Sequence, residues 1–232
     1  MLTLGIDDAG RGPIIGPMIL AGVLVTSDQE KILKKNDVRD SKTVLHPARI
    51  KLSVLIKQNS LANHITITHP AEIDSSLQEG TNLNTLEAMK AAKIINEINT
   101  GKYRKEELKV IIDCPSVNID AWSKTLSRFI HHPDNLRIIC EHKADANHIS
   151  VSAASILAKV TREEEVEKIK KKYLDYGDVG SGYPSDPATK DFLKKHGIRL
   201  KNEDIFRKTW KTWRELFPNA GKGQATLEGF RK

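Results

Sequence analysis

Residues 2–13 read LTLGIDDAGRGP: an apolar run that ends on two adjacent carboxylates, Asp7 and Asp8, and then turns on glycine. This feature constrains the fold most. Two acids at the mouth of a strand repel each other, and burying them raises their pKa values or demands a positive partner. A divalent cation is the usual partner of clustered carboxylates, because hard oxygen ligands suit Mg²⁺ and Mn²⁺. The alternative is that Asp7 or Asp8 caps the turn or lies in solvent.

Two further segments have the same layout. Residues 108–113 (LKVIID) form a β-branched run ending on Asp113, and residues 136–145 (LRIICEHKAD) carry Asp145 a few positions past another apolar run. In an open α/β sheet, ligand sites lie beyond strand ends. Three strands delivering acids to one rim would gather Asp7, Asp8, Asp113 and Asp145. Such a cluster can hold two metal ions about 4 Å apart, the spacing used for in-line attack on phosphodiesters.

The chain has 232 residues, enough for one full core and a small appendage. No segment reaches the ~18 consecutive apolar residues of a membrane helix, and no secretory signal is seen. Cys114 and Cys140 lie in or beside apolar runs, without zinc spacing, as thiols of a reducing cytoplasm would. The net charge of +7 is unevenly placed. Residues 190–232 carry 12 Lys/Arg against 5 Asp/Glu, and the first 189 residues balance at 25 each. A basic C-terminal region on a neutral body points to a polyanionic partner.

The periodicity predicts strands at 1–7, 17–25, 62–68, 109–113 and 137–141, and helices at 45–58 and 119–131. Asn84 and Glu87 have the spacing of a capping box and predict a helix start. A long helix is expected from about 146–149, capped by Asp145 and ended by Gly177. Its first half is apolar, and its second half is laced by pairs at i,i+4 (Glu164 with Lys168, Glu167 with Lys171). Asp186 and Pro187 have the types expected at a helix cap and first turn, and a last helix is expected over 203–217. The expected division is a catalytic domain at 1–177, a basic helical domain at 178–217 and a tail at 218–232.

The segments GIDDAGRGP, RDSK, IIDCPSVN, KADANHISVSAASILAKVTRE and GSGYPSDPAT occur in this order. Together they resemble type 2 ribonuclease H (RNase HII), in its archaeal branch, over nearly the whole chain. The resemblance implies an α/β, ribonuclease H-like fold: a five-stranded mixed sheet flanked by helices, with a small C-terminal helical domain. It implies a monomeric endoribonuclease that cuts the RNA strand of RNA–DNA hybrids and cuts at ribonucleotides embedded in duplex DNA, leaving 5′-phosphate and 3′-hydroxyl ends. It implies that Asp7, Asp8, Asp113 and Asp145 hold Mg²⁺ or Mn²⁺ and are catalytic. It assigns Gly10, Arg11 and Gly12 to sensing the ribose 2′-hydroxyl, Tyr183 to packing on the next deoxyribose, and Lys42 to a phosphate. One position departs from the family: glutamate is usual where this chain has Asp8. A non-catalytic or weakly active hybrid-binding module is the alternative reading. A phosphate-loop NTP site at residues 10–16 lacks the Lys-Ser/Thr such loops need.

The tail residues Gln224, Leu227 and Phe230 fit the Q-x-x-L-x-x-F pattern of peptides that bind the sliding clamp PCNA. In that reading the leucine and phenylalanine fill an apolar pocket and the tail orders on binding.

Overall fold

Five strands and nine helices organise the described residues, 1–39 and 45–220, of the computed structural model. The strands are β1 (Leu2–Ala9), β2 (Met18–Thr26), β3 (Ala62–Thr68), β4 (Leu108–Asp113) and β5 (Leu136–Glu141). They form one sheet in the order β3-β2-β1-β4-β5. The β3–β2–β1 pairs are antiparallel and the β1–β4–β5 pairs parallel, so the sheet is mixed. The helices are α1 (Ser27–Lys35), α2 (His46–Gln58), α3 (Pro70–Gln78), α4 (Leu83–Ile98), α5 (Ile119–Ser127), α6 (Ala144–Asn147), α7 (Ile149–Lys172), α8 (Pro187–His196) and α9 (Lys211–Leu216).

Strand alternation divides the core into two layers. Leu4, Ile6, Val110 and Ile112 face α4 and α5, where they meet Leu86, Ile94, Ile95, Trp122 and Leu126. Ala21, Val23 and Val25 face α7, α1 and α2 on the other side. A third cluster joins Ile14 and Ile15 to Tyr173, Phe192, Phe206 and Trp213 of the C-terminal region.

Helix α7 lies across β1 and β2. Its contact with β1 passes through Gly5, where a Cβ atom would sit 2.2 Å from the Ser150 carbonyl carbon and 2.3 Å from the Val151 nitrogen. Only glycine allows that approach. The small residues that follow, Ser150, Ser152, Ala153, Ala154 and Ser155, are all buried, so the helix sits deep against the sheet.

Several local expectations need correction. The long helix begins at Ile149, and Asp145 does not cap it. Instead Asp145 sits in the separate four-residue α6, because His148 is extended (φ −127°, ψ 124°) and interrupts the chain between the two helices. The end of α7 is Lys172; Gly177, with φ 102°, closes a short 3-10 turn after it. The exposed ion pairs of α7 run at i,i+3, Glu165 with Lys168 and Glu167 with Lys170, and such pairs contribute little. The cap of α4 is Asn82, which accepts a bond from the Thr85 N–H. Asn84 and Glu87 perform another task, described below. Helix α5 ends at Ser127 rather than 131. Helices α1 and α3 have no counterpart among the expected elements. Residues 203–210 are not helical: Phe206 bridges to Ile15, and the Asp74 carboxylate caps the Lys208 and Thr209 N–H groups.

Substituting Gly5 by alanine forces backbone against backbone. It is expected to cost about 1–3 kcal/mol or more, the range for overpacked cores, read as a lower urea midpoint at unchanged m-value. A wild-type midpoint would show that α7 does not lean on β1 as described.

Candidate active site

The parallel pairing of β1 with β4 sets Ile6 opposite Ile112. One residue further on, Asp7 and Asp113 stand side by side at the strand ends. Asp145 arrives from α6, after a left-handed turn at Lys143 (φ 59°, ψ 34°). The three carboxylates each bring an oxygen to within 4.8 Å of the others. Asp7 and Asp145 are buried and Asp113 is half-buried.

Hydrogen bonds fix this arrangement. The Asp8 N–H donates to Asp7 Oδ1 at 2.7 Å, and the Ala144 N–H donates to Asp113 Oδ1 at 3.2 Å. The Ser152 hydroxyl donates to the Asp145 carbonyl, which ties α6 to α7. Glu141, next to Asp113 in register, pairs with His148 Nε2 at 2.8 Å and holds the extended link between the two helices.

Burial raises the Asp7 pKa well above the ordinary carboxylate range, and the charges of Asp8 and Asp113 push it the same way, against a hydrogen bond from Ser155. Burial also raises Asp8, to about 6, although the Arg11 guanidinium opposes it. Adjacent strand residues face opposite ways, so only Asp7 shares a face with Asp113. Asp8 stands outside the three-acid group and lines the neighbouring cavity.

That cavity, of about 240 Å³, is bounded by Asp8, the Gly10–Gly12 loop, Tyr183, and Lys159, Arg162 and Glu163 of α7. Gly10 adopts φ 87°, and a Cβ there would collide with the Pro17 carbonyl at 2.8 Å. A Cβ on Gly12 would lie 3.6 Å from the Tyr183 ring, so a narrow slot separates the two. The Arg162 guanidinium stacks 5.0 Å over the same ring and donates to the Ser181 carbonyl at 2.9 Å. The Gly182 carbonyl accepts from the Ile14 and Ile15 N–H groups, which joins the Tyr183 loop to the glycine loop.

The Arg11 guanidinium is tied to α4. It pairs with the buried Glu87 and donates to Asn84 Oδ1 at 2.6 Å. This is the task that the supposed capping box performs. Sequence reasoning missed Lys159, Arg162 and Glu163 on the cavity wall, and Asn84 and Glu87 as the partners of Arg11. For α7 a signal existed: Ser155, Lys159, Arg162 and Glu163 recur at helical spacing on one face. Lys42 and the tail residues Gln224, Leu227 and Phe230 lie outside the described residues. A larger cleft of about 520 Å³ opens near Met1, Leu61 and Tyr103, at the opposite end of β1 from the acids.

The family model described as Ribonuclease HII matches residues 4–213. The chain belongs to the ribonuclease HII family. It is 36% identical to the ribonuclease HII of Methanocaldococcus jannaschii, over 98% of this chain and all of the other. The crystal structure of ribonuclease H2 from Pyrococcus horikoshii superposes with a TM-score of 0.82 at 34% identity, covering 96% of this chain and all of that one. A PCNA–RNase HII complex from Archaeoglobus fulgidus matches with a TM-score of 0.77 at 34% identity, over 91% and 96% of the two chains.

The protein is thus a metal-dependent endoribonuclease of the RNase H type, with the expected five-stranded mixed sheet. The donor set fits that chemistry. Three carboxylates and no sulfur make a hard oxygen site for a divalent ion. Among the described residues, no helix is long and apolar enough to cross a membrane.

The raised acids set a stability prediction with a definite sign. When the folded-state pKa of a carboxylate lies above its unfolded value, the native state holds the proton longer. Stability is then full below the unfolded pKa and falls as pH rises through the folded one. For Asp8 that window runs from the ordinary carboxylate value to about 6, and the raised Asp7 acts in the same direction. In EDTA the melting temperature is expected to fall across this window, and Mn²⁺ to restore it at a pH above the window. Asp7→Asn is expected to raise the metal-free melting temperature and to blunt the Mn²⁺ response; scanning calorimetry in both buffers checks this.

Proposed function

We propose that this chain cuts the RNA strand of RNA–DNA hybrids and also cuts at ribonucleotides embedded in duplex DNA, leaving 5′-phosphate and 3′-hydroxyl ends. The observation that carries the reading is the three-acid group of Asp7, Asp113 and Asp145, joined through the adjacent Asp8 to the cavity that Gly12 and Tyr183 bound. The carboxylates would hold two Mg²⁺ or Mn²⁺ ions, which supply an activated water and stabilise the leaving 3′ oxygen.

The chain's own groups do the rest. Asp7, Asp113 and Asp145 fix the position of the scissile phosphate relative to the strand ends, and Asp8 closes the cation site from the cavity side. The main chain of Gly10–Gly12 meets the ribose. The 2′-hydroxyl is the group that separates RNA from DNA, and glycine main chain can approach it closely. Tyr183, 39% exposed, offers a flat face to the next sugar, and the stack with Arg162 holds its ring in place. Lys159 and Arg162 give the cavity positive charge for a phosphate, Lys42 adds another contact, and the basic C-terminal helices grip the flanking duplex. Binding then weakens steeply with salt.

Asp8 is one methylene shorter than the glutamate usual in the family. Misplacing a catalytic group by ~1 Å can cost two orders of magnitude in rate. Metal binding is expected to survive, with an altered rate or metal preference. Single-turnover cleavage of a duplex with one ribonucleotide, in Mg²⁺ and in Mn²⁺, compares wild type with Asp8→Glu. Equal rates for both proteins in both metals would sink the idea. In the same assay Gly12→Ala is expected to keep its fold and lose at least about tenfold in rate, because a methyl group fills the slot against Tyr183.

The tail pattern at Gln224, Leu227 and Phe230 supports a sliding clamp as partner, and a clamp complex exists for the Archaeoglobus fulgidus relative. Phe230→Ala is expected to abolish clamp binding in calorimetry while leaving cleavage of short duplexes intact. A clamp that ignores the wild-type tail would refute this partner.

A further inference from the structure

Arg207 is fully buried, and it lies outside every element so far given a role in the reaction. Its four side-chain hydrogen bonds all end on main-chain carbonyls of one loop. Nη2 donates to the Gly10 carbonyl at 2.6 Å and to the Gly16 carbonyl at 3.0 Å; Nη1 donates to the Arg11 carbonyl at 2.8 Å; Nε donates to the Gly16 carbonyl at 3.1 Å. Trp210 continues the pattern. Its Nε1 donates to the Gly12 carbonyl at 3.1 Å, and its ring lies 4.9 Å from the Arg207 guanidinium. The three carbonyls of Gly10, Arg11 and Gly12 are therefore all drawn to one side.

A trans peptide places its N–H opposite its C=O. Pulling the Gly10 and Arg11 carbonyls inward turns the N–H groups of Arg11 and Gly12 outward, toward the cavity that Tyr183 bounds. A buried guanidinium is an expensive way to fill space. Burial pushes its pKa down to about 9, and the nearby Arg162 adds to the effect. A leucine or methionine would fill the volume at lower cost, but neither could hold two donors of a loop in a fixed direction.

The support extends one layer further. Asp74 of α3 accepts from the Lys208 N–H at 2.7 Å, the Thr209 N–H at 2.9 Å and the Thr209 hydroxyl at 2.6 Å. The Arg207 N–H donates to the Ile14 carbonyl at 2.9 Å. The segment that carries Arg207 is thus anchored on both sides of the loop it holds.

We propose that Arg207 and Trp210 are positioning residues for ribose selection: by holding the Gly10–Gly12 carbonyls they aim the Arg11 and Gly12 amides at the sugar 2′-hydroxyl. The inference rests on the reading that this loop senses the ribose. The C-terminal region then sets which sugar is accepted as well as gripping the duplex.

The test compares the full-length wild type with Arg207→Lys, Trp210→Phe and Gly12→Ala. Lysine keeps the charge but loses the fork. Phenylalanine keeps the ring over Arg207 and removes only the bond to Gly12. The readout is the ratio of dissociation constants for an all-DNA duplex and the same duplex with one ribonucleotide, in Ca²⁺, with Mn²⁺ affinity measured alongside by calorimetry. Both Arg207→Lys and Trp210→Phe are expected to retain wild-type Mn²⁺ affinity and lose at least about fivefold in the ratio, the loss of roughly one hydrogen bond. A wild-type ratio in both variants, with the ratio lost in Gly12→Ala, overturns the inference and leaves the loop reading standing. An unchanged ratio in Gly12→Ala brings down the loop reading itself, and the inference with it. Should Arg207→Lys fail to fold, Trp210→Phe alone decides.

Discussion

The close seat of α7 on β1 governs most of this molecule. It exists because Gly5 has no side chain where the Ser150–Val151 backbone passes. From that contact the rest of the helix is placed: Ser155 reaches Asp7, Lys159 and Arg162 border the cavity, and Ser152 secures the short helix that carries Asp145. A side chain at position 5 would lift α7 off the sheet and carry the third acid away from the other two.

That placement has an electrostatic cost. Three carboxylates share a small, largely buried volume, and the raised pKa of Asp7 expresses it, with burial raising the adjacent Asp8 as well. The fold tolerates the repulsion because strand ends and helix termini supply hydrogen bonds to the acids. A bound divalent cation would turn the cost into affinity. Stability and function pull in opposite directions here, as they commonly do at active sites.

The cavity side obeys a different logic. Its glycine loop borders the cavity with main chain, and main chain must be held by something. Arg11 is anchored to Asn84 and Glu87 on α4, while Arg207 and Trp210 hold the loop carbonyls from the C-terminal side. The arginine of the glycine-arginine-glycine motif is thus an anchor whose guanidinium points into the fold.

The sequence alone determined the sheet strands, through apolar and β-branched runs, three of which lead to acids. It also marked acids to be gathered at strand ends, where carboxylates are costly without a cation to hold; the structure brings Asp7, Asp113 and Asp145 together and leaves Asp8 outside the group. The ordered motifs determined the family. Tertiary structure decided what local pattern could not carry. Asn84 and Glu87 have capping-box spacing, yet a guanidinium 73 residues earlier in the chain claims Asn84. Residues 203–210 have helical composition, yet backbone bonds to Ile14 and Gly16 hold them out of a helix. Arg207 reads in sequence as one more basic residue of a charged C-terminal region. Its role depends on carbonyls nearly 200 positions away, and only long-range packing brings such groups together.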